Sequence, residues 1–347
     1  MPNVTQKRSG EGLTKVADSH FLQNVAKEMQ ITPAKEKWLD SVSLFNAQPY
    51  GEEELAYMPG QLVQCTFPHD DPGNVPEWSR STPWLTVSIR PGYKTDHKTG
   101  QRVCVGYPFG TVPRLLMFHI MTEVEHTKNR TDMTLLEKRT IRLGESFAAF
   151  LRTIGMNPEN GSGKRSDRHR CQDQVERTVR AILSFDRSTV NDSFRSEGWL
   201  NMPVSSRGEF FWDVKRPEQG SLWTSYIVLS EELYGAIIAS PVPLDYIAIR
   251  ALKDSALHLD LYAWFLYRAH LLSKGKKPSL LVPWNSFMMQ LGTSYKVARQ
   301  FRARVKKEFP NVAPFLRHLT VRLTVKGIEV HPPKQPVIPP RQLPASR

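Results

Sequence analysis

The chemistry most legible in this chain is cationic. Between Tyr295 and Phe309, the apolar residues Val297, Phe301, Val305 and Phe309 recur every four positions, the spacing of one buried helical face. Tyr295, Arg299, Arg302 and Lys306 fall together on another face, with Lys296 and Lys307 beside them. A contiguous basic stripe led by an aromatic ring suits contact with phosphate oxygens and guanine edges. A similar helix is expected over Ser166 to Phe185. Val175, Val179, Ile182 and Leu183 would make its buried face, and Arg170, Asp173, Arg177 and Arg180 would share the opposite one. Lys164, Arg165, Arg168 and His169 crowd its N-terminus. One such helix alone reads as a solvated charged face. Two at equivalent places favour binding to a polyanion.

Catalytic patterns are missing. The string Gly161-Ser162-Gly163-Lys164-Arg165 lacks the first glycine and the hydroxyl of a phosphate-binding loop, so it reads as a basic turn. The H-x-H pair of a metal-dependent nicking enzyme does not occur among the ten histidines. His119, Glu123 and His126 have helical spacing, but no fourth ligand stands near, and they read as the polar edge of a buried helix. No nucleotide fingerprint or nucleophile elbow appears. We expect no cofactor, no metal and no enzymatic activity.

The elements that must carry the basic stripes follow from periodicity and punctuation. Residues 1–40 read as an arm, with a short helix from His20 to Gln30. A loop-like stretch follows, holding one strand from Leu62 to Phe67. Strands are expected at Trp84–Ile89 and Arg102–Gly106, joined as a hairpin through Pro91–Gly100. A mostly buried helix runs from Thr111 to Lys128, with Pro113 in its first turn. A short apolar segment, Thr140–Leu143, precedes a helix from Ser146 to Ile154, which Gly155 stops. After the first basic helix, strands are expected at Ser196–Val204, Glu209–Val214 and Leu222–Leu229, then a helix at Glu231–Ala239. Ser240-Pro241-Val242-Pro243 reads as the linker.

The second half repeats the plan. A helical stretch covers Leu244–Ser273, broken near Asp254. A strand at Leu280–Val282 follows, then a helix from Pro283 to Leu291 stopped by Gly292, the basic helix Lys296–Phe309, and a hairpin from Leu319 to Val330. Leu143 matches Leu280, Phe150 matches Phe287, Ile154 matches Leu291 and Gly155 matches Gly292, all at a shift of 137 residues. Helix, strand, helix, turn, basic helix and hairpin is the order of a winged helix-turn-helix. The expected fold is therefore α+β: tandem winged helices, mainly helical, with small antiparallel wing sheets. The divisions are an arm (1–40), a first winged-helix domain with N-terminal strands and a dimerisation role (41–240), a second (241–331), and a proline-rich disordered tail (332–347). A fragment from residue 241 to the C-terminus is expected to fold alone.

Composition agrees with a nucleic-acid partner. The 347 residues carry 47 lysines and arginines against 34 acids, a formal net charge of +13. That excess suits double-stranded DNA. Hydrophobic residues make up 40% of the chain, enough for about two domains. No apolar run could span a membrane, and none follows Lys7 and Arg8 as in a signal peptide. The three cysteines, Cys65, Cys104 and Cys171, lie far apart, which suits a reducing cytoplasm.

From Tyr107 to Phe315 the residues resemble the RepA family of plasmid replication initiators, the iteron-binding type of broad-host-range plasmids. The resemblance rests on three stretches. The first is Gly110-Thr111-Val112-Pro113-Arg114-Leu115-Leu116, running on to Thr122-Glu123. The second is Pro243-Leu244-Asp245, Arg250-Ala251-Leu252-Lys253 and Leu259-Asp260-Leu261-Tyr262-Ala263-Trp264, and the third is Val282-Pro283-Trp284 with Phe301-Arg302. Tyr107-Pro108-Phe109-Gly110 departs from the family's proline-tyrosine-glycine order. The resemblance implies binding to direct repeats at a plasmid origin, opening of a neighbouring A·T-rich segment, and recruitment of the host replication initiator and replicative helicase. It also implies a homodimer that represses its own gene. A tandem winged-helix transcriptional repressor would need the same basic helices.

Overall fold

The computed structural model describes residues 32–47, 55–59, 66–81, 85–96, 98–143, 151–152, 155–156, 167–190, 195–210, 225–239, 241–275, 278–316 and 318–333. Two units of helix, strand, helix and sheet share one continuous hydrophobic core, in a mixed α+β architecture.

The first unit centres on a helix, preceded in the chain by α1 (Pro33–Ala47), β1 (Leu55–Pro59), β2 (Trp78–Ser81), β3 (Thr86–Arg90), β4 (Gly92–Thr95) and β5 (Arg102–Gly106). That helix, α2 (Thr111–Thr127), is buried on nearly every side from Val112 to Thr122, as a helix apolar all round must be. Next come α3 (Leu135–Arg139), β6 (Thr140–Arg142), the basic helix α4 (Asp167–Arg180), β7 (Ile182–Val190), β8 (Arg195–Pro203), β9 (Ser205–Glu209), β10 (Tyr226–Leu229) and α5 (Glu231–Ala239).

The second unit begins with β11 (Pro241–Asp245), α6 (Tyr246–Leu252) and α7 (Ala256–Lys274). Asp245 caps α6 by accepting from the backbone N–H of Ile247 and Ala248. The chain breaks at Asp254 as expected, because Ser255 starts a new helix by accepting from the His258 N–H. β12 (Leu280–Pro283), α8 (Trp284–Gln290), the second basic helix α9 (Ala298–Val312), β13 (Val321–Leu323) and β14 (Gly327–Val330) complete it.

The repeat is visible in the sheets. In the second unit the strand order is β12-β14-β13, and in the first it is β6-β10-β9. In each, the strand that follows the unit's early helices, β6 after α3 and β12 after α7, pairs antiparallel with the later hairpin strand, and the earlier hairpin strand lies outside. The first unit differs by an insertion. β7 and β8 extend away between α4 and β9 and join β2 and β3 in a four-stranded sheet, β2-β3-β7-β8.

That insertion corrects several expectations. The first basic helix ends at Arg180, and Ile182 and Leu183 belong to a strand. The run Ile182–Phe185 sits inside a sheet, where a near-continuous apolar stretch looks like helix by periodicity alone. β3 and β5 do not pair with each other; β3 lies between β2 and β7, while β5 pairs with β4. Ser196–Val204 pairs with β7 and is not part of a wing. The strand expected to begin at Glu209 ends there, and residues 211–214 lie outside the described residues. So do the helix at 20–30, positions 62–65 of the expected strand, most of the helix at 146–154, and the tail from 334; Thr66 and Phe67 are not in a strand.

The linker is a strand. β11 pairs antiparallel with β1, Leu55 opposite Asp245 and Pro59 opposite Pro241. Prolines alternate with pairing residues there, so the segment reads as a linker until its partner is known. A second crossing lies at Gly292, whose Cβ, if it had one, would stand 1.8 Å from the Phe67 carbonyl oxygen. No side chain fits that approach, so this glycine admits a backbone crossing as well as ending a helix. The His69 N–H donates to the Gly292 carbonyl at 2.7 Å and the Gly292 N–H to Thr66 Oγ1 at 2.9 Å.

Candidate nucleic-acid interface

α9 presents the strongest cationic surface among the described residues. Phe301 and Val305 are fully buried and hold one face against the core. The Phe301 ring packs at 5.5 Å from Phe287 and 6.5 Å from Trp284. Arg299 and Lys306 are exposed on the other side, with Lys307. The helix carries three arginines and two lysines against one acid, Glu308. Glu308 is turned away from the stripe: it pairs with His258 at 2.8 Å and with Arg304 at 3.3 Å.

The start of this helix differs from the expectation. It begins at Ala298, with Val297 as its N-cap and 51% exposed, so Val297 does not face the core. A β-branched apolar side chain offers no oxygen to the first N–H groups, so Val297 caps through its backbone carbonyl alone, which accepts from the Gln300 and Phe301 N–H at 3.1 and 3.2 Å. Tyr295 and Lys296 precede the helix. Lys296 is exposed, and the half-buried Tyr295 ring rests 6.1 Å from Phe301. Tyr295 therefore braces the entry to the helix.

Arg302 has a further role. It is half-buried, and its Nη1 donates to the Val325 carbonyl at 3.5 Å. Trp284 Nε1 donates to the Thr324 carbonyl at 3.1 Å. Arg302 thus ties the tip of the β13–β14 hairpin to the basic helix, and Trp284 ties it to α8. The hairpin then adds two exposed cations that sequence reasoning missed, Arg322 and Lys326, around a Val325 that is 80% exposed. Lys326-Gly327 at a turn was the available signal.

The first basic helix, α4, is a different object. It carries four arginines against Asp167, Asp173 and Glu176. Arg177 is only 19% exposed; it pairs with Asp173 at 2.9 Å and Asp71 at 3.4 Å, and donates to the Tyr107 carbonyl. Its guanidinium also lies over the Phe109 ring. Arg180 pairs with Glu176 and donates to the Tyr93 carbonyl, while Lys94 reaches Glu176 at 2.6 Å. The β4–β5 hairpin thus lies across this helix, and its arginines hold that hairpin. Arg170 pairs with Asp167 at 3.2 Å and stays exposed, as does His169. Arg168 lies on the helix, and Lys164 and Arg165 fall outside the described residues. The equivalence expected between the two basic helices does not extend to their surfaces.

Behind the interface sits a buried ion pair. Arg114 on α2 and Asp260 on α7 are each 2% exposed. Arg114 Nε and Nη2 donate to the two carboxylate oxygens at 2.6 and 2.7 Å. Thr66 Oγ1 and His69 Nε2 complete the shell at 2.8 and 2.7 Å. Burial alone would raise the Asp260 pKa, but the Arg114 charge and the hydrogen bonds from His69 and Arg114 hold it down to about 2. Burial lowers the pKa of His69, while the nearby Asp260 carboxylate pulls the other way. Neither Arg114 nor Asp260 stood out in the basic pattern, because a buried pair has no periodic signature.

The segment that supplies Thr66 and His69 continues along the turn between α8 and α9. Ser294 Oγ donates to Asp70 at 2.9 Å, and Arg80 donates to the Thr293 carbonyl. The residues that precede the basic helix are thereby held from the first unit. Among the described residues no group of three or more ligating side chains could hold a metal ion, and no helix is long and apolar enough to cross a membrane.

Fold and surface together define an α+β protein of two related units, one of which displays an exposed basic helix beside a basic hairpin. The family described as Plasmid encoded RepA protein matches residues 107–286, just over half of the chain, and the chain belongs to that family. The match begins where the resemblance read from the residues begins, and it stops inside α8, short of α9. Two solved structures are similar in part. A crystal structure of RctB domains 2–3 is 11% identical with a TM-score of 0.44, covering 79% of this chain and 96% of its own. A selenomethionine derivative of RctB domains 2 and 3 is 10% identical with a TM-score of 0.45, covering 78% and 94%. No curated protein matches the sequence.

Proposed function

We propose that this protein is a plasmid replication initiator that binds direct repeats at its origin as tandem winged helices. Family membership supports replication of a plasmid as its setting. The single observation that carries DNA binding is the exposed stripe on α9, whose one acid is engaged elsewhere. In this reading Arg299 and Lys306 face the major groove with Lys296, and Arg302 couples them to the β13–β14 wing on the flanking backbone. Tyr295 sets the entry angle. The first unit contributes at the start of α4, through Lys164, Arg165, Arg168, His169 and Arg170, while Arg177 and Arg180 keep a structural task.

The protein acts by binding, without catalysis or cofactor. It opens the adjacent DNA and recruits the host initiator and helicase, and its homodimer represses its own gene. Its place of action is the cytoplasm, on plasmid DNA. Footprinting of the pure protein on its plasmid tests this. One protein per direct repeat, covering about two helical turns with groove centres about 34–36 Å apart, is the expected result. Protection of a single inverted repeat would indicate a repressor instead. Nicking of supercoiled origin DNA would indicate an enzyme.

A further inference from the structure

A cavity of about 860 Å³ lies where three parts of the chain meet: α1, the stretch holding Arg152, Gly155 and Met156, and α6 with the residues after it. It stands apart from the DNA-facing start of α9. Trp38 of α1 donates its indole N–H to the carbonyl of Asn311 at the far end of that helix, about 20 Å along a 15-residue helix.

Four cations line the cavity: Lys37, Arg152, Arg250 and Lys253. They come from all three parts, so only the folded junction assembles them. Gly155 makes the assembly possible. It adopts a positive φ of 75°, and a Cβ there would stand 3.2 Å from Lys253 Cδ and 3.3 Å from Arg250 Cγ. The bare glycine lets both basic stems cross it. The Arg250 guanidinium also lies over the Tyr246 ring at 5.6 Å.

Two carboxylates, Asp40 and Asp254, share the lining, as do the apolar surfaces of Trp38 and Met156. A DNA backbone passing through would meet both acids. A compact ligand can use them: carboxylates accept from hydroxyl and amino groups, cations take phosphates, and an indole and a thioether cover a flat ring. The volume lies in the range of small-molecule sites, which favour junctions of this kind. We propose that this cavity binds a nucleoside di- or triphosphate, with its phosphates on Arg250, Lys253 and Arg152 and its ribose hydroxyls or base amino group on Asp40 and Asp254. A ligand there would bridge the first unit, the second unit and α1.

Calorimetric titration of the full-length protein with ADP, ATP, pyrophosphate, inorganic phosphate and a short single-stranded oligonucleotide tests this. ADP or ATP is expected to bind once per chain, more tightly than pyrophosphate or phosphate. Arg250→Gln with Lys253→Gln is expected to weaken that binding by about tenfold or more for each charge-assisted hydrogen bond removed. Lys37→Gln provides a separate variant on α1. Melting temperature and affinity for the origin repeat should hold in each, which separates this site from the α9 interface. Absence of nucleotide binding at millimolar concentration would overturn the proposal. So would phosphate binding as tightly as ADP, nucleotide binding untouched by the substitutions, or an oligonucleotide that uses these residues where mononucleotides do not.

Discussion

Arg114 of the first unit's central helix and Asp260 of the second unit's central helix form a bidentate buried ion pair, closed by Thr66 and His69 from the segment between β1 and β2. The pair joins two of the three stretches that carry the family resemblance. It makes the two units one body and holds the turn before α9 through Gly292. In the proposed reading, the geometry of the DNA-facing surface depends on an interaction buried away from that surface.

Removing one partner should be costly. Asp260→Ala leaves the Arg114 charge buried without its counter-ion, an expected loss of about 3–5 kcal/mol. Arg114→Met with Asp260→Leu should recover much of that loss, since both charges go together. Urea denaturation of the three proteins measures it. A single variant within about 1 kcal/mol of the parent would mean that water or another group satisfies the charge.

Acid should release the same ion pair. The unfolded Asp260 carboxyl takes its proton near 4 and the folded one near 2, so the unfolded chain binds the extra proton in that window. The stabilisation is complete above about pH 4 and is lost as pH falls towards 2. His69, lowered by burial, adds a loss that starts as pH drops below its unfolded value of about 6.5. Unfolding followed against pH in the parent and in Asp260→Asn should show the lower step only in the parent.

A fragment of residues 241–347 should fail to fold cooperatively, contrary to the expectation from sequence. It lacks the β1 partner of β11 and leaves Asp260 without Arg114 and His69. It also exposes Phe315, which packs against Trp38 at 6.2 Å and Phe45 at 5.3 Å. A sharp thermal transition of the fragment by circular dichroism would show that these interactions are dispensable.

The two basic helices should respond differently. Arg299→Ala is expected to reduce specific DNA affinity by about 1–3 kcal/mol and to leave stability within about 0.5 kcal/mol. Arg177→Ala should do the reverse, because Arg177 binds Asp173, Asp71 and the Tyr107 carbonyl. Phe301→Ala should cost about 3–5 kcal/mol of stability through the cavity it leaves. Paired binding and melting curves separate these cases. Equal affinity losses for Arg299→Ala and Arg177→Ala would place Arg177 in the interface as well.

With the start of α4 contributing beside α9 and its hairpin, binding engages about 6–10 phosphates, which corresponds to a log–log salt slope of roughly −5 to −9. A slope of about −2 in a salt titration would mean that the two units do not both engage the DNA.

Taken alone, the sequence determined the central helices, the break at Asp254, the basic stripe of α9 and the order of elements in the second unit. These are local matters: apolar periodicity selects the buried face, Ser255 supplies a cap, and charge excluded from that face must lie outside it. The sequence suggested a repeat, and the two three-stranded sheets, β6-β10-β9 and β12-β14-β13, share one strand order. Only the tertiary structure decided what each charge does. Arg177 and Arg299 occupy similar patterns, yet one meets Asp71 and Tyr107 from distant segments and the other meets solvent. Ile182–Phe185 became a strand because β3 and β8 lie on either side, and Pro241–Asp245 because β1 does. Asp260 looks like a polar slip in an apolar helix until Arg114, 146 positions earlier, is set beside it. Periodicity reports which face is buried; the identity of the partner depends on how distant segments pack, and no local pattern encodes that.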